Sequence, residues 1–197
     1  MIQPINKKTN PLKHPDQRVG VFIDVQNMYY SAKNLFGAKV NFGNIVKEAT
    51  AGRKLIRAIA YVVSTESKEE KPFFDALYNL GIETKEKPLQ IFWGGEKKAD
   101  WDVGLAVDAI RFSSNLDAIV LVGGDGDYVP LVEYLRGHGK QVEVLSFGGT
   151  TSAKLIEAAD DFIDLGQDKA KFLILDKRYI PVKKNFPKLN NLNTKLK

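Results

Sequence analysis

Residues 117–139 read DAIVLVGGDGDYVPLVEYLRGHG: an unbroken apolar run, a glycine-rich acidic turn, and an amphipathic segment closed by glycine. The run AIVLV is β-branched and too short for a helix, which predicts a strand buried on both faces. YVPLVEYLRGHG (128–139) predicts a helix with Pro130 tolerated in its first turn and a glycine exit. A doubly buried strand that feeds a helix is the unit of a parallel sheet covered on both sides.

The same rhythm extends in both directions. VGVFIDV (19–25), KLIRAIAYVVS (54–64), QVEVLSF (141–147) and FIDL (162–165) predict strands, and IETKEKP (82–88) a more polar one. Helices are predicted over 27–37, 41–52, 66–81, 100–114 and 150–160, several ended by glycine. In the helix at 100–114 the spacing puts Val103, Ala106, Val107 and Ile110 on one face, with Asp100 placed to cap its start; Ser152 is placed to cap the helix that follows it. LQIFWGGEKKA (89–99) is glycine-broken and reads as a loop. The expectation is a three-layer α/β sandwich with a mostly parallel central sheet. One domain spans 19–166, between a basic arm (1–18) and a basic extension (167–197) that is partly disordered at its lysine- and asparagine-rich end.

Composition narrows the chemistry. The chain has 197 residues, no cysteine, and only His14 and His138, which excludes thiolate metal sites and makes histidine-based catalysis improbable. No apolar stretch approaches the roughly 20 residues needed to span a bilayer, so the expectation is a cytoplasmic protein with no membrane partner. The net charge of +5 divides unevenly: +3 in residues 1–18, +7 in 168–197, and −5 between them. Basic ends on an acidic body fit arms that meet a polyanion, and equally fit tails kept soluble by lysine.

In an open parallel sheet, ligands bind beyond the carboxyl ends of the strands. That rule gathers Asp24 from the first strand and Asp125 with Asp127 from the strand AIVLV, while Asp102, at the start of a helix, can reach the same edge. Four carboxylates in one place repel one another unless a cation lies between them, and oxygen-only donors favour magnesium or manganese. Each Asp alone has an ordinary role as helix cap or turn residue; their conjunction carries the metal-site reading. Other uses of the acidic turn fail on spacing. An EF-hand starting at Asp125 meets Val129 and Arg136 where ligands are required, and DVQNMY after the first strand holds no dinucleotide glycines. An aspartyl-nucleophile phosphatase would want Asp where Gln26 stands.

With these residues assembled, the chain resembles the NYN domains of the PIN-like nuclease superfamily, of the LabA-like bacterial type. The resemblance covers about 19–166. It rests on FIDVQN, similar to the family's strand-ending D-x-x-N; on DWDVGLAVDA, similar to D-V-x-L-x-x-D-A; on VGGDGDYVPL, similar to S-G-D-G-D-F-x-P-L; and on SAKLIEAADDFIDL, similar to S-x-x-L-x-x-A-D-x-F. It implies a PIN-like, Rossmannoid fold and a metal-dependent ribonuclease, with Asp24, Asp102, Asp125 and Asp127 holding Mg2+ or Mn2+ and Asn27 orienting a carboxylate or touching the scissile phosphate. Asp100 and Asp108 form a second tier, Asp108 also being placed to pair with Arg111. Lys97, Lys98 and Trp93 are candidate RNA contacts, whereas Trp101 is expected to fill the core. The chain departs from the pattern at Gly123, where the family carries a hydroxyl. A non-catalytic RNA-binding or regulatory module and, behind it, a small-molecule phosphatase remain as alternatives, and the oligomeric state stays open.

Overall fold

In chain order the elements are β1 (Arg18–Asp24), α1 (Val25–Phe36), β2 (Lys39–Val40), α2 (Phe42–Thr50), β3 (Lys54–Ser64), α3 (Lys71–Asn79), β4 (Glu83–Pro88), β5 (Gln90–Ile91), β6 (Lys97–Lys98), α4 (Asp102–Ser113), β7 (Ala118–Val122), α5 (Val129–Gly137), β8 (Gln141–Ser146), α6 (Ala153–Ala158), β9 (Asp161–Asp164), α7 (Lys169–Phe172) and β10 (Leu173–Ile174). The computed structural model describes residues 13–64, 70–91, 97–98 and 100–174. Six strands form one sheet in the order β4, β3, β1, β7, β8, β9, and every neighbouring pair is parallel. This is the α/β class and parallel sheet that the apolar runs predict. The winding reverses at β1: the chain moves outward through β3 and β4, then returns to lay β7, β8 and β9 on the other side.

Side chains along a strand alternate between faces, which explains why the central strands are apolar throughout. Val19, Val21 and Ile23 of β1, with Val120 and Val122 of β7, pack against Met28 and Ala32 of α1 and Ile45 of α2. The intervening Phe22, Ile119 and Leu121 face Leu105 of α4 and Leu131 and Leu135 of α5. Among the described residues no helix is long and apolar enough to cross a membrane.

Three local expectations change. The apolar face read for α4 points mostly outward: Val103 is 74%, Val107 47% and Ile110 38% exposed, while Ala106 is partly buried against the core. The buried residues of α4 are Leu105, Asp108 and Ala109. Asp108 is offset in the interior by the Tyr61 hydroxyl at 2.9 Å and the Lys85 ammonium at 2.5 Å, and the pair with Arg111 expected from sequence forms as a longer ion pair at 3.8 Å. Second, helix α4 starts at Asp102, and its preceding residue Trp101 makes no side-chain cap, so Asp100 lies too early to cap it. Third, Ser152 precedes α6 without a side-chain cap bond. Within 89–99, a two-residue antiparallel pair joins β5 to β6. Beyond the sheet, β10 pairs antiparallel with β2 and buries Phe172 and Leu173.

One buried ion pair ties the sheet to its amino-terminal approach. Glu143 of β8 is fully buried and accepts from Arg53 at 2.5 and 3.0 Å, and Arg53 also donates to the carbonyls of Ala49 and Thr50. Lys13 adds a bridge at 3.0 Å to Glu143 and another at 3.0 Å to Asp161. Removing one partner leaves the other charge buried with fewer contacts, so Arg53→Met is expected to destabilise the fold by about 3–5 kcal/mol. Urea denaturation checks this, with Glu143→Met in the same chain recovering most of the loss.

Candidate active site

Strand register makes the first contact of the site. Ile23 of β1 lies opposite Val122 of β7, which carries Asp24 to the side of Gly123, at the seam where the winding reverses. That seam is where an open α/β sheet leaves a crevice. Asp24 caps α1, its Oδ1 accepting the backbone N–H of Asn27 at 2.9 Å. The Asn27 side-chain oxygen accepts the backbone N–H of Gly124, also at 2.9 Å. The start of α1 therefore pins the acidic turn.

Space, rather than a left-handed backbone, demands the glycines of that turn. A Cβ on Gly124 would stand 2.8 Å from Ser146 Oγ and 3.0 Å from the Thr151 Cα, and one on Gly126 would stand 2.9 Å from Ser152 Oγ. Asp125 Oδ1 accepts the N–H of Asp127 at 3.0 Å and opens a 3-10 turn over Gly126–Tyr128. The third wall comes from the start of α4, where the Trp101 indole donates to the Val62 carbonyl at 2.9 Å and packs edge-on against Tyr61. Trp101 thus packs against the core, as expected, while also bordering the groove.

The buried Tyr128 hydroxyl joins these walls. It stands 2.9 Å from Asp24 Oδ2 and 2.9 Å from Asp102 Oδ1. A phenol has one proton, so it can donate to only one carboxylate at a time. The other contact sets oxygen against oxygen unless a proton or cation intervenes. Burial is the main cause that pushes the Asp24 carboxyl above its ordinary value, with the charges of Asp102 and Asp125 adding to it. Asp102 is raised by partial burial first and then by Asp125, Asp100 and Asp127. Burial and the two carboxylates also push the Tyr128 hydroxyl up, so it remains a donor.

An open groove of about 310 Å3 runs past these groups. Asp24, Asp100, Asp102 and Asp125 border it, and so do Asn27, Tyr30, Ser31, Asn34 and Thr150 of α1 and the 148–150 turn. No Lys or Arg lines it among the described residues. A phosphate entering such a groove meets like charge, which a hard dication would reverse. In kind, the donors fit such an ion. They are not gathered into a finished cage: among the described residues, no three acidic or histidine side chains stand together as a ready ligand set.

Other sequence candidates fall in different places. Asp127 is exposed and outside the groove lining, although its charge reaches Asp102. Asp108 belongs to the α4 packing against Tyr61 and Lys85. Trp93 and the side chains of Lys97 and Lys98 lie outside the described residues. Tyr128 was missed as a site residue, although its hydroxyl was legible where the family pattern has phenylalanine. Also missed were Tyr30, Ser31 and Asn34, whose spacing from the expected Asn27 marks one helical face. At Gly123 a Cβ would stand 3.3 Å from that of Asp24 and 3.7 Å from the Tyr128 ring. The neighbourhood that lacks a hydroxyl at 123 receives one from Tyr128.

Comparison with known proteins agrees with this architecture. The NYN domain family model matches residues 18–166. The chain is 27% identical over 157 residues to the low amplitude and bright protein LabA of Synechococcus elongatus, covering 75% of this chain and 83% of that protein. An uncharacterized Methanocaldococcus jannaschii protein is 28% identical over 160 residues, which span 78% of this chain and 57% of the relative. A crystal structure of a Vibrio parahaemolyticus protein of unknown function superposes with a TM-score of 0.75 at 30% identity, covering 82% of this chain and 99% of that one.

The crowding has a measurable sign. A carboxyl raised above its ordinary value of 3.8 stabilises the fold below that pH and loses the contribution as pH rises through the raised value. In Asp24→Asn, the amide oxygen can keep the Asn27 contact while its NH2 donates to Tyr128, freeing the tyrosine proton for Asp102. This variant is expected to melt a few degrees above the native chain at pH 7, the scale of roughly 1 kcal/mol in a domain of this size. The advantage should disappear by about pH 4 in thermal melts run across pH.

Proposed function

The chain belongs to the NYN domain family, and from that premise we propose that it is a divalent-metal-dependent nuclease that hydrolyses RNA phosphodiesters in the groove between β1, β7 and α4. The family supports nuclease and RNA-related function in general. The observation that carries the finer reading is the Tyr128 hydroxyl held 2.9 Å from both Asp24 and Asp102, beside a groove that no Lys or Arg lines among the described residues. Such an arrangement wants a cation.

Asp24, Asp102 and Asp125 would hold Mg2+ or Mn2+, with Asp100 adding negative field from the groove lining and Asp127 from outside it. The ion would supply an activated water and neutralise charge on the phosphate. The residues of the chain do the positioning. Asn27 fixes the acidic turn against α1 through Gly124 and, lying in the groove, orients the carboxylates or meets the scissile phosphate. Tyr128 orients Asp24 and Asp102 with its single proton, and the packed Trp101 sets where α4 begins. Lys97, Lys98 and basic residues of the two ends of the chain would meet the RNA backbone, with Trp93 offering a stacking face.

A second reading, RNA binding without turnover, is favoured by one observation: the acids are not already gathered into a ligand set among the described residues. Cleavage of a labelled RNA separates the two. The nuclease reading expects cleavage in manganese, its loss in EDTA, and at least an approximately 100-fold fall in rate in Asp125→Asn. Salt-sensitive RNA binding with no cleavage in either metal would instead select the binding module.

A further inference from the structure

Besides Gln26, four residues of α1 border the groove, at positions 27, 30, 31 and 34. That spacing draws one stripe along the helix, and from Asn27 to Asn34 it runs about 10 Å at 1.5 Å per residue. At its beginning stand Asp24 and the acidic turn. Along its floor the Thr150 hydroxyl donates to Ser31 Oγ at 2.8 Å, joining α1 to the opposite wall. Tyr30 does not belong to that floor. Its side chain is 50% exposed at the lip of the groove, and its ring meets Tyr29 edge-on at 5.3 Å, leaving ring surface open. Tyr29 is itself 46% exposed and has the Lys33 ammonium 5.5 Å from its ring centre.

An exposed aromatic among amides and hydroxyls adds nothing to the core, and its hydroxyl is not needed to hold the carboxylates, a task that falls to Tyr128. What a half-open ring offers is a flat apolar face beside a polar track. We propose that Tyr30 is a base-stacking residue, and that the Asn27–Tyr30–Ser31–Asn34 face of α1 carries unpaired nucleotides away from the carboxylates. The proposal rests on the nuclease reading only for the direction in which the strand leads. The track accommodates on the order of three stacked bases at ~3.4 Å each. In a duplex the base faces are buried in the stack, so the ring can engage only unpaired bases. Lys33, beside Tyr29, places a cation on the outer side of the same helix, where the backbone of a stacked strand would pass.

Equilibrium binding of short fluorescein-labelled oligouridylate and oligoadenylate tests this, with calcium present and the intact strand verified on a gel. The probes are compared with a duplex of the same length, and cleavage in manganese is followed in parallel. Tyr30→Ala is expected to weaken single-strand binding about tenfold, the lower part of the range seen for loss of one stacked base. Tyr30→Phe should restore it, since the ring and not the hydroxyl carries the contact, and duplex binding should not change. Because Tyr30 is half exposed, all three proteins should melt alike. Single-strand binding within twofold of native in Tyr30→Ala overturns the inference. So does equal loss of single strand and duplex, failure of Tyr30→Phe to rescue, or absence of single-strand binding by the native chain. The two readings can fail separately. Ring-dependent binding without cleavage would leave the stacking surface and remove the nuclease, whereas equal cleavage by the native chain and Tyr30→Ala would do the reverse.

Discussion

A single tyrosine proton shared between two carboxylates is the constraint around which this molecule is arranged. Tyr128 lies between Asp24 and Asp102, which come from opposite sides of the crevice, and Asp125 adds charge to both. Burial makes ionisation of Asp24 unfavourable, yet the surrounding fold holds the group there. Carboxylates held where burial and like charge oppose their ionisation mark a candidate functional site.

The scaffold supports this by rigidity at each approach. Asp24 is locked as a helix cap, Asn27 ties the cap to the acidic turn, and close contacts with Ser146, Thr151 and Ser152 leave the turn no room for side chains at 124 and 126. On the far side the Trp101 indole is bonded to β3, and the buried Asp108 anchors α4 to β3 and β4. Asp108 matches the family pattern as Asp102 does, but here its carboxylate is engaged by Tyr61 and Lys85. The Arg53–Glu143 pair performs a comparable service where β3 begins, away from the carboxylates.

Legibility in the sequence followed the physics of each feature. Strands buried on both faces have only one composition available to them, so AIVLV and VGVFIDV were plain. Amphipathic periodicity misled at α4, because a buried aspartate interrupted the true inner face and three exposed apolar residues, Val103, Val107 and Ile110, imitated another. Caps were misjudged at Asp100, one residue too early for α4, and at Ser152, whose side chain makes no bond to the first turn of α6. The Tyr128 bridge joins residues 104 and 26 positions apart, a separation that no local pattern encodes.

By itself the sequence determined the α/β class and the parallel sheet, and it nominated the candidate carboxylates, because strand composition and the rule of carboxyl ends depend on order along the chain. Only the tertiary structure decided which acids meet. It put Asp24 beside Gly123 through the register of two strands nearly a hundred residues apart, drew Asp102 to the same hydroxyl, turned Asp108 into the α4 packing and left Asp127 in solvent. The reason is physical: an aspartate's type is written locally, but its charge state and partners depend on distances of a few ångströms, which exist only after the sheet has closed.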